Sequence, residues 1–483
     1  MSRNKPPIYL VANEVWPKGH CYLPFGIMYV GSALKTAGWE VKLFHLHLGE
    51  ENLLYDAIKQ KAPLFVGIST IIGPTLRRDI DLSRGLKKMG QTVVWGGVFA
   101  SMVPELVMAD GAIDYVVKGE AEKSAPRLAE SIFEKAPPID IPGVAYFENG
   151  QLRVNPGCDY PEDLDKVQPG WELIDPKKYL RKFEGRDDYF WQIFFSRGCP
   201  NACAFCYNRM DDGRRVWRSH SLSYWKEQLA WLEKTLTEKI GVLALAGDNA
   251  FGDAEKAWEL IQGLGRTWSA ATRLELVNEE FVRRARATRA VYLGFGLESG
   301  SDRMLKIYNK DITAEMAMDA AEKLAAYKCL YDFGVIFFGP GETVEDRRLT
   351  VEFMEKARYC NPYLYFAFNS YWAFPQTPLW QKCLEQGFRE PADLDEWSVR
   401  FNNFMEVHGW DRKMWARTAS VLKLLYGFPA ASGESIPGWA RKILYRRLHN
   451  FKFNLPVEEA LRFVYRNYLR LANKPAGSYS LGE

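Results

Sequence analysis

Apolar and polar positions along this chain follow two periods in turn. Short apolar runs bounded by polar or glycine-rich turns predict buried strands at residues 8–12, Val41–Phe44, Leu64–Ile68, Val93–Trp95 and Tyr115–Val117. Between them apolar residues recur three and four apart, as Ile27, Val30, Leu34 and Ala37 do in the stretch opened by Pro24-Phe25-Gly26 and stopped by Gly38. The same spacing predicts helices near Glu51–Lys61, Leu76–Lys88 and Ala121–Lys135. Strand and helix in alternation predict a doubly wound, Rossmann-like parallel sheet, with its ligand crevice at the carboxyl ends of the strands. Ser69-Thr70, Gly96-Gly97 and Gly119-Glu120-Ala121-Glu122 follow the third, fourth and fifth strands. Glycines there let a ligand approach the backbone closely. Val144–Phe147 and Gln151–Val154 flank Glu148-Asn149-Gly150, a hairpin signal that closes a first domain over residues 1–155.

Residues 156–189 are rich in Pro, Asp and Lys, have little periodicity, and read as a linker. A second βα series then begins. Its predicted strands are Trp191–Ser196, Gly241–Ala246, Arg273–Leu276, Val291–Phe295, Tyr331–Phe338 and Phe366–Ala373, with helices such as Leu222–Thr235, Ala254–Leu264 and Val344–Arg358. Six βα units predict an open (β/α)6 barrel over residues 190–389, with active groups at the strands' carboxyl ends. Residues 390–483 are aromatic and mainly helical, and Trp439–Arg447 and Leu461–Arg466 are basic and amphipathic. Such helices lie on a membrane surface, close a barrel mouth, or present a solvated face over a packed core. A helical cap on the barrel is the expectation.

The chemistry concentrates in Cys199, Cys203 and Cys206, which follow the first strand of the second series. Thiolates are soft ligands, and short spacings let one iron–sulfur cluster collect several of them. A structural zinc site wants four ligands, and the nearest further candidate, His220, has nothing in its setting that marks it as one. An electron-carrying cluster would also be expected to have four cysteines. Three thiolates leave one iron open to a ligand from outside the protein.

The motif Cys-x-x-x-Cys-x-aromatic-Cys, with Phe205 as its aromatic residue, resembles the signature of the radical S-adenosylmethionine (SAM) superfamily. The resemblance implies a 4Fe–4S cluster on the three cysteines and SAM chelating the fourth iron. One electron then cleaves SAM to methionine and a 5′-deoxyadenosyl radical, with Phe205 beside the adenine. Gly247-Asp248-Asn249 resembles the segment that contacts the SAM amino group, and Gly296-Leu297-Glu298-Ser299-Gly300 and Gly339-Pro340-Gly341-Glu342-Thr343 resemble hallmarks of the cobalamin-binding class. That class usually has Pro-Gly-Thr-Pro-Leu where this chain has Pro375-Gln376-Thr377-Pro378-Leu379, a change expected to affect only a turn. For Asp248 and Glu298 a helix N-cap is the alternative role. Arg273, read as starting a strand, would reach the SAM carboxylate or form a surface salt bridge.

Pro24-Phe25-Gly26, Gly67-Ile68-Ser69-Thr70, Trp95-Gly96-Gly97 and Gly119-Glu120-Ala121-Glu122 together resemble the cobalamin-binding domain that precedes the barrel in this class. Ser69, Thr70, Gly96, Gly97, Gly119 and Glu120 are the implied contacts. The Asp-x-His-x-x-Gly motif that supplies a histidine to cobalt is absent, since His20, His45 and His47 lack the flanking Asp and Gly. That fits cobalamin held without a protein imidazole, and it fits an empty domain too.

Composition changes this picture little. A chain of 483 residues is long enough for two or three domains, and a formal net charge of +3 does not point to nucleic acid. The start Met-Ser-Arg-Asn-Lys-Pro-Pro has no secretory character and no apolar run reaches eighteen, so a cytoplasmic protein is expected. Cysteines outside the triplet are scattered and do not form a disulfide framework.

The resemblance implies a cobalamin-dependent radical SAM enzyme, foremost a methyltransferase acting on an unactivated carbon. One SAM would methylate cobalamin and a second would yield the radical. Substrate would meet the strand-end faces of both domains, and a lipid, tetrapyrrole or peptide would suit the aromatic, basic C-terminal region. A flavodoxin or ferredoxin would supply electrons. The rivals are a cyclase or rearrangement enzyme without net methyl transfer, and a non-catalytic cobalamin-binding module. A transfer-RNA methylthiotransferase is disfavoured, because such enzymes hold a second cluster on three N-terminal cysteines and only Cys21 and Cys158 precede the motif.

Overall fold

The computed structural model describes residues 5–15, 22–182, 188–209, 215–400, 404–427 and 438–449. His20, Cys21 and the basic stretch Leu461–Arg466 lie outside the described residues.

The first sheet contains β1 (Ile8–Asn13), β2 (Val41–Leu46), β3 (Val66–Ser69), β4 (Val93–Gly96), β5 (Tyr115–Val117), β6 (Val144–Glu148) and β7 (Gln151–Val154), in the order β2-β1-β3-β4-β5-β6-β7. The first five strands are parallel and the hairpin β6–β7 is antiparallel. Its turn residues Asn149 and Gly150 have φ of 50° and 78°, the pair of positive angles that a two-residue hairpin turn requires. Successive strand residues face opposite sides, so two cores form. Leu10, Phe65, Val94 and Leu128 fill one; Val11, Ile68, Trp95 and Leu86 fill the other. The helices Phe25–Thr36 and Leu76–Lys88 fall where the periodicity places them, whereas Val98–Met102 and Pro104–Ala109 are too short to show a period.

The remaining strands are β8 (Arg181–Lys182), β9 (Tyr189–Phe194), β10 (Ser196–Arg197), β11 (Arg218–Ser219), β12 (Ile240–Ala246), β13 (Thr267–Arg273), β14 (Ala290–Glu298), β15 (Leu330–Phe337) and β16 (Leu364–Ser370). The second large sheet runs β16-β15-β14-β13-β12-β9-β8, a curled half-barrel, while β10 and β11 form a separate antiparallel pair. The third strand of this series differs from expectation. It ends at Arg273 instead of starting there, and Leu274–Leu276 is a 3-10 turn. Ser269 and the two alanines that follow hide the strand from an apolar-run reading, although Trp268 is buried.

By internal packing the chain divides into two compact units. One comprises the described residues of 1–272, 287–291 and 372–402; the other those of 273–286, 292–371 and 403–483. In the first unit the linker is not loosely draped. It makes 3-10 turns that bury Leu164, Trp171 and Tyr179, and Trp171 Nε1 donates to Gln228 at 2.8 Å. The helix Leu394–Arg400 also belongs to this unit. Its Trp397 is buried in the first sheet's second core with its ring 5.8 Å from Phe99, so this piece of the expected barrel cap packs elsewhere. Aromatic helical periodicity identifies a buried face without saying which core it fills. In the second unit the helix Gly438–His449 pairs Arg441 and His449 with Glu355 and Glu352 of the helix Val344–Cys360. No helix among the described residues is long and apolar enough to cross a membrane.

Candidate functional site

In the first unit the ends of β3, β4 and β5 frame a cavity of about 440 Å³. Its mouth carries Ser69, Thr70, Gly96, Gly97, Gly119 and Glu120, so the predicted strand-end residues do converge. Its depth is an apolar slot of Leu10, Ile27, Val30, Phe65, Val94 and Leu128, between the sheet and the helices Phe25–Thr36 and Ser124–Glu134. Two glycines let its walls pack closely. A Cβ on Gly97, at φ +90°, would fall 2.5 Å from the Thr70 carbonyl oxygen; one on Gly67 would fall 2.7 Å from Leu10 Cδ2. Thr70 itself is a wall brace, since its hydroxyl donates to Gly96 O at 2.9 Å and accepts from Ala100 N.

The opposite wall of this cavity comes from the segment that carries the cysteines and from the residues after β12. Phe194, Arg197, Tyr207, Gly247 and Asp248 all line it. Phe194 stacks on Phe25 with ring centroids 5.3 Å apart. Asp248 straps the two ends of the cysteine loop: its carboxylate accepts from Gly198 N at 2.7 Å and from the Tyr207 hydroxyl at 2.9 Å. Asn249 braces the interior, donating to Asn201 Oδ1 at 3.4 Å and accepting from Phe251 N and the Thr272 hydroxyl. Asp253, not Asp248, caps the helix Ala254–Leu264. Gly247 is obligatory, because a Cβ there would lie 2.4 Å from Ser196 O.

Cys203 is buried and Cys199 and Cys206 are half-buried, with Phe205 half-buried between them in sequence. Burial, with neighbouring Cys203, Cys199 and Asp248, pushes the Cys206 thiol up to about 12. Mutually close thiols of this kind need a local positive charge to become thiolates, which cluster iron provides. No three His, Cys, Asp or Glu side chains converge on one metal ion among the described residues; in a 4Fe–4S cluster each cysteine holds a different iron. His220 is fully buried, stacked 3.9 Å from Tyr224 and 3.4 Å from the Tyr29 hydroxyl, and burial holds its pKa down at about 3. It is an aromatic core residue.

A charged cluster joins the two walls. The β10–β11 register places Arg197 opposite Arg218, and both reach Glu120. Arg197 Nη1 is 2.7 Å from Glu120 Oε2 and 2.7 Å from Glu122 Oε1, and its guanidinium lies 4.5 Å from the Tyr29 ring centre. Burial alone would raise the Glu120 carboxyl, yet the two guanidiniums hold it below its ordinary value. Sequence reasoning singled out Glu120 and missed Arg197, Arg218 and Tyr207. The nearness of Arg197 and Tyr207 to the cysteines was the available signal, but it carries no direction.

In the second unit Glu298 ends β14 at φ +70°, a strained angle for a side-chain-bearing residue. Lys310, almost fully buried, donates to Gly296 O at 2.8 Å and lies 3.3 Å from Glu298 Oε1. Glu298 is therefore an ion-pair member and not an N-cap; Ser301 holds the cap position of the helix Asp302–Ile307. The Ser299 hydroxyl is engaged by Thr350 and by Ser301 N. Arg273 is buried with Glu275 and Asp311 as partners, so a surface salt bridge is excluded. Glu342, in the Gly-Pro-Gly-Glu segment, accepts from Phe338 N and Arg347, and burial pushes its carboxyl up to about 7. In the first unit Gln376 stands in a left-handed turn at φ +62° and donates to Met102 O.

Residues 193–354 match the radical SAM superfamily and residues 18–129 match the B12 binding domain. The chain is 29% identical over 371 residues to an uncharacterised methyltransferase of Pyrococcus horikoshii, covering 74% of this chain and 78% of that one. It is 28% identical over 220 residues to the anaerobic magnesium-protoporphyrin IX monomethyl ester cyclase of a Synechocystis strain, covering 44% and 43%. Its fold is similar to that of the radical SAM methyltransferase TsrM of Kitasatospora setae, solved with cobalamin and a [4Fe–4S] cluster. The TM-score is 0.62 at 15% identity, over 92% of this chain and 99% of that one. The apolar slot below the glycine-bearing strand ends and the cluster of three partly or fully buried thiols fit those groups. The chain belongs to the radical SAM superfamily as an enzyme with an N-terminal B12-binding domain, and its cofactors are a 4Fe–4S cluster, SAM and cobalamin.

Proposed function

We propose that this enzyme is a methyltransferase that places a methyl group on an unactivated carbon. One observation carries the reading: a single cavity has the B12-domain strand ends on one wall and the two ends of the cysteine loop on the other. When bound, the cluster and SAM supply a carbon-centred radical and cobalamin supplies a methyl group that such a radical can take. In this assignment Cys199, Cys203 and Cys206 would hold the cluster, and Phe205 would contact SAM. Gly247 and Asn249 would contact SAM, while Asp248 serves it by fixing the loop; for Arg273 and Glu298 the SAM role rests on the resemblance alone. The apolar slot would hold an apolar part of cobalamin and exclude water from it. Ser69, Gly96, Gly97 and Gly119 meet the polar edge at the mouth. His45 is held by the Tyr179 hydroxyl at 2.9 Å and by Glu14, away from the residues lining the cavity.

The similarity to methyltransferases supports this reading, and the similarity to a cyclase keeps ring formation as the second one. A cytoplasmic enzyme drawing electrons from a flavodoxin or ferredoxin, and acting on a lipid, tetrapyrrole or peptide, completes the proposal. Product analysis of the anaerobically purified, cofactor-loaded enzyme tests it, using extracts of these substrate classes. Methyl transfer requires S-adenosylhomocysteine to accumulate with 5′-deoxyadenosine and a product heavier by one methyl replacing hydrogen. Substrate-dependent 5′-deoxyadenosine without S-adenosylhomocysteine would replace it with the cyclase reading.

A further inference from the structure

We infer that Arg197 is a positioning residue that locks the cysteine loop over the cobalamin-binding strand ends, with Glu120, Glu122 and Arg218 as its fixed partners. Arg197 stands two residues before Cys199, and Glu120 directly follows Gly119 at the cavity mouth. A movement of either carboxylate therefore moves the start of the loop. The four side chains carry two positive and two negative charges and form a neutral group, all of them largely withdrawn from solvent.

Arg197 is held from several directions at once. Its Nη1 meets both carboxylates, and its guanidinium plane is flanked by the rings of Tyr29 at 4.5 Å and Phe194 at 5.3 Å. Arg218 adds donors to Glu120 and to the Pro161 carbonyl. A guanidinium with one nitrogen shared by two carboxylates and two aromatic rings close beside it has little freedom left. Such an arrangement is a poor source of stability compared with an apolar core, because each charge has been taken out of water. It is a good device for fixing geometry, since a displacement of about 1 Å at a reacting centre costs on the order of a hundredfold in rate. The Asp248 strap ties the same loop to the end of β12, so the loop is fixed on both sides.

The second readout below rests on the methyl-transfer reading; the first does not. Glu122→Gln in the full-length, cluster- and cobalamin-loaded enzyme removes one charge and leaves Arg197 with a single charged partner of its pair. Hydrogen exchange, measured without SAM or substrate, should quicken about tenfold for amides of residues 194–209, as expected when a buried charged contact that limits local opening is weakened. Residues 222–235 of the next helix should exchange as in the unmodified enzyme. In turnover the ratio of 5′-deoxyadenosine to methylated product should rise at least about threefold, since a mispositioned loop still generates the radical but delivers it unproductively. Glu122→Asp should restore much of both. Unaltered exchange in residues 194–209 would overturn the inference, as would equal quickening throughout the chain, because general destabilisation would then be the cause. If Glu122→Gln does not accumulate as folded protein, Arg218→Lys, which keeps the charge and loses the fork, answers the same question by the same exchange measurement. Should no methylated product form in any variant, the methyl-transfer reading fails while the exchange result still decides the clamp.

Discussion

Two arginine–carboxylate networks tie distant parts of the first unit together, and they differ in depth. Arg197, Arg218, Glu120 and Glu122 are buried, with side-chain exposures of 5%, 11%, 15% and 6%. Arg77, Arg84 and Asp395 join the helix Leu76–Lys88 to the helix Leu394–Arg400 at 47%, 35% and 44% exposure. Both networks hold a carboxylate between two guanidiniums, so a count of salt bridges would score them alike. Their consequences differ because water screens one and not the other. The exposed network sits over a contact already secured by Trp397 in the core, whereas the buried one has a cavity on one side and a reactive loop on the other. Charge serves attachment weakly and alignment strongly.

The sharpest way to break this comparison is Arg197→Met, which fills similar space and leaves Glu120 and Glu122 in a buried site with one guanidinium fewer. Denaturant unfolding should show a loss on the order of 3–5 kcal/mol, the cost of orphaning buried charge. A loss under about 1 kcal/mol would put this network in the same class as the exposed one. Acid comes next. The Glu120 carboxyl lies below its ordinary value in the folded chain, so its contribution is complete above the ordinary glutamate range and is lost as pH falls through its lowered folded pKa. Stability followed from pH 6 to 3 should therefore fall, and Glu120→Gln should flatten that part of the curve. The smallest effect is Asp395→Ala, expected within about 1 kcal/mol and smaller still in about 0.5 M salt, where exposed pairs are screened. A salt-independent loss there would mean that the exposed pair is structurally closer to the buried one than its exposure indicates.

Much of this organisation is legible in the sequence. β5 occupies the predicted residues, the helices Leu222–Thr235 and Ala254–Leu264 have the predicted bounds, and the three strand-end segments line one cavity. These features rest on local periodicity and on glycine, which leave marks in sequence. What escapes is set by direction and by long-range contact. Nothing local says that Arg197 turns toward Glu120, which lies 77 positions earlier, or that both Asp248 oxygens are occupied by the cysteine loop, where the resemblance implies contact with SAM. β13 escaped because its small residues lack an apolar run. Glu298 does end its strand, as read from the sequence, but its partner Lys310 and its backbone strain are tertiary facts.

The β10–β11 pair also bears on how iron enters. Ser196 and Arg197 are hydrogen-bonded in register with Ser219 and Arg218, so the cysteine segment leaves and rejoins the fold through one closed neck. That neck meets part of the entropy of closing the loop through protein contacts. It thereby lowers the ordering cost that cluster binding would otherwise have to meet.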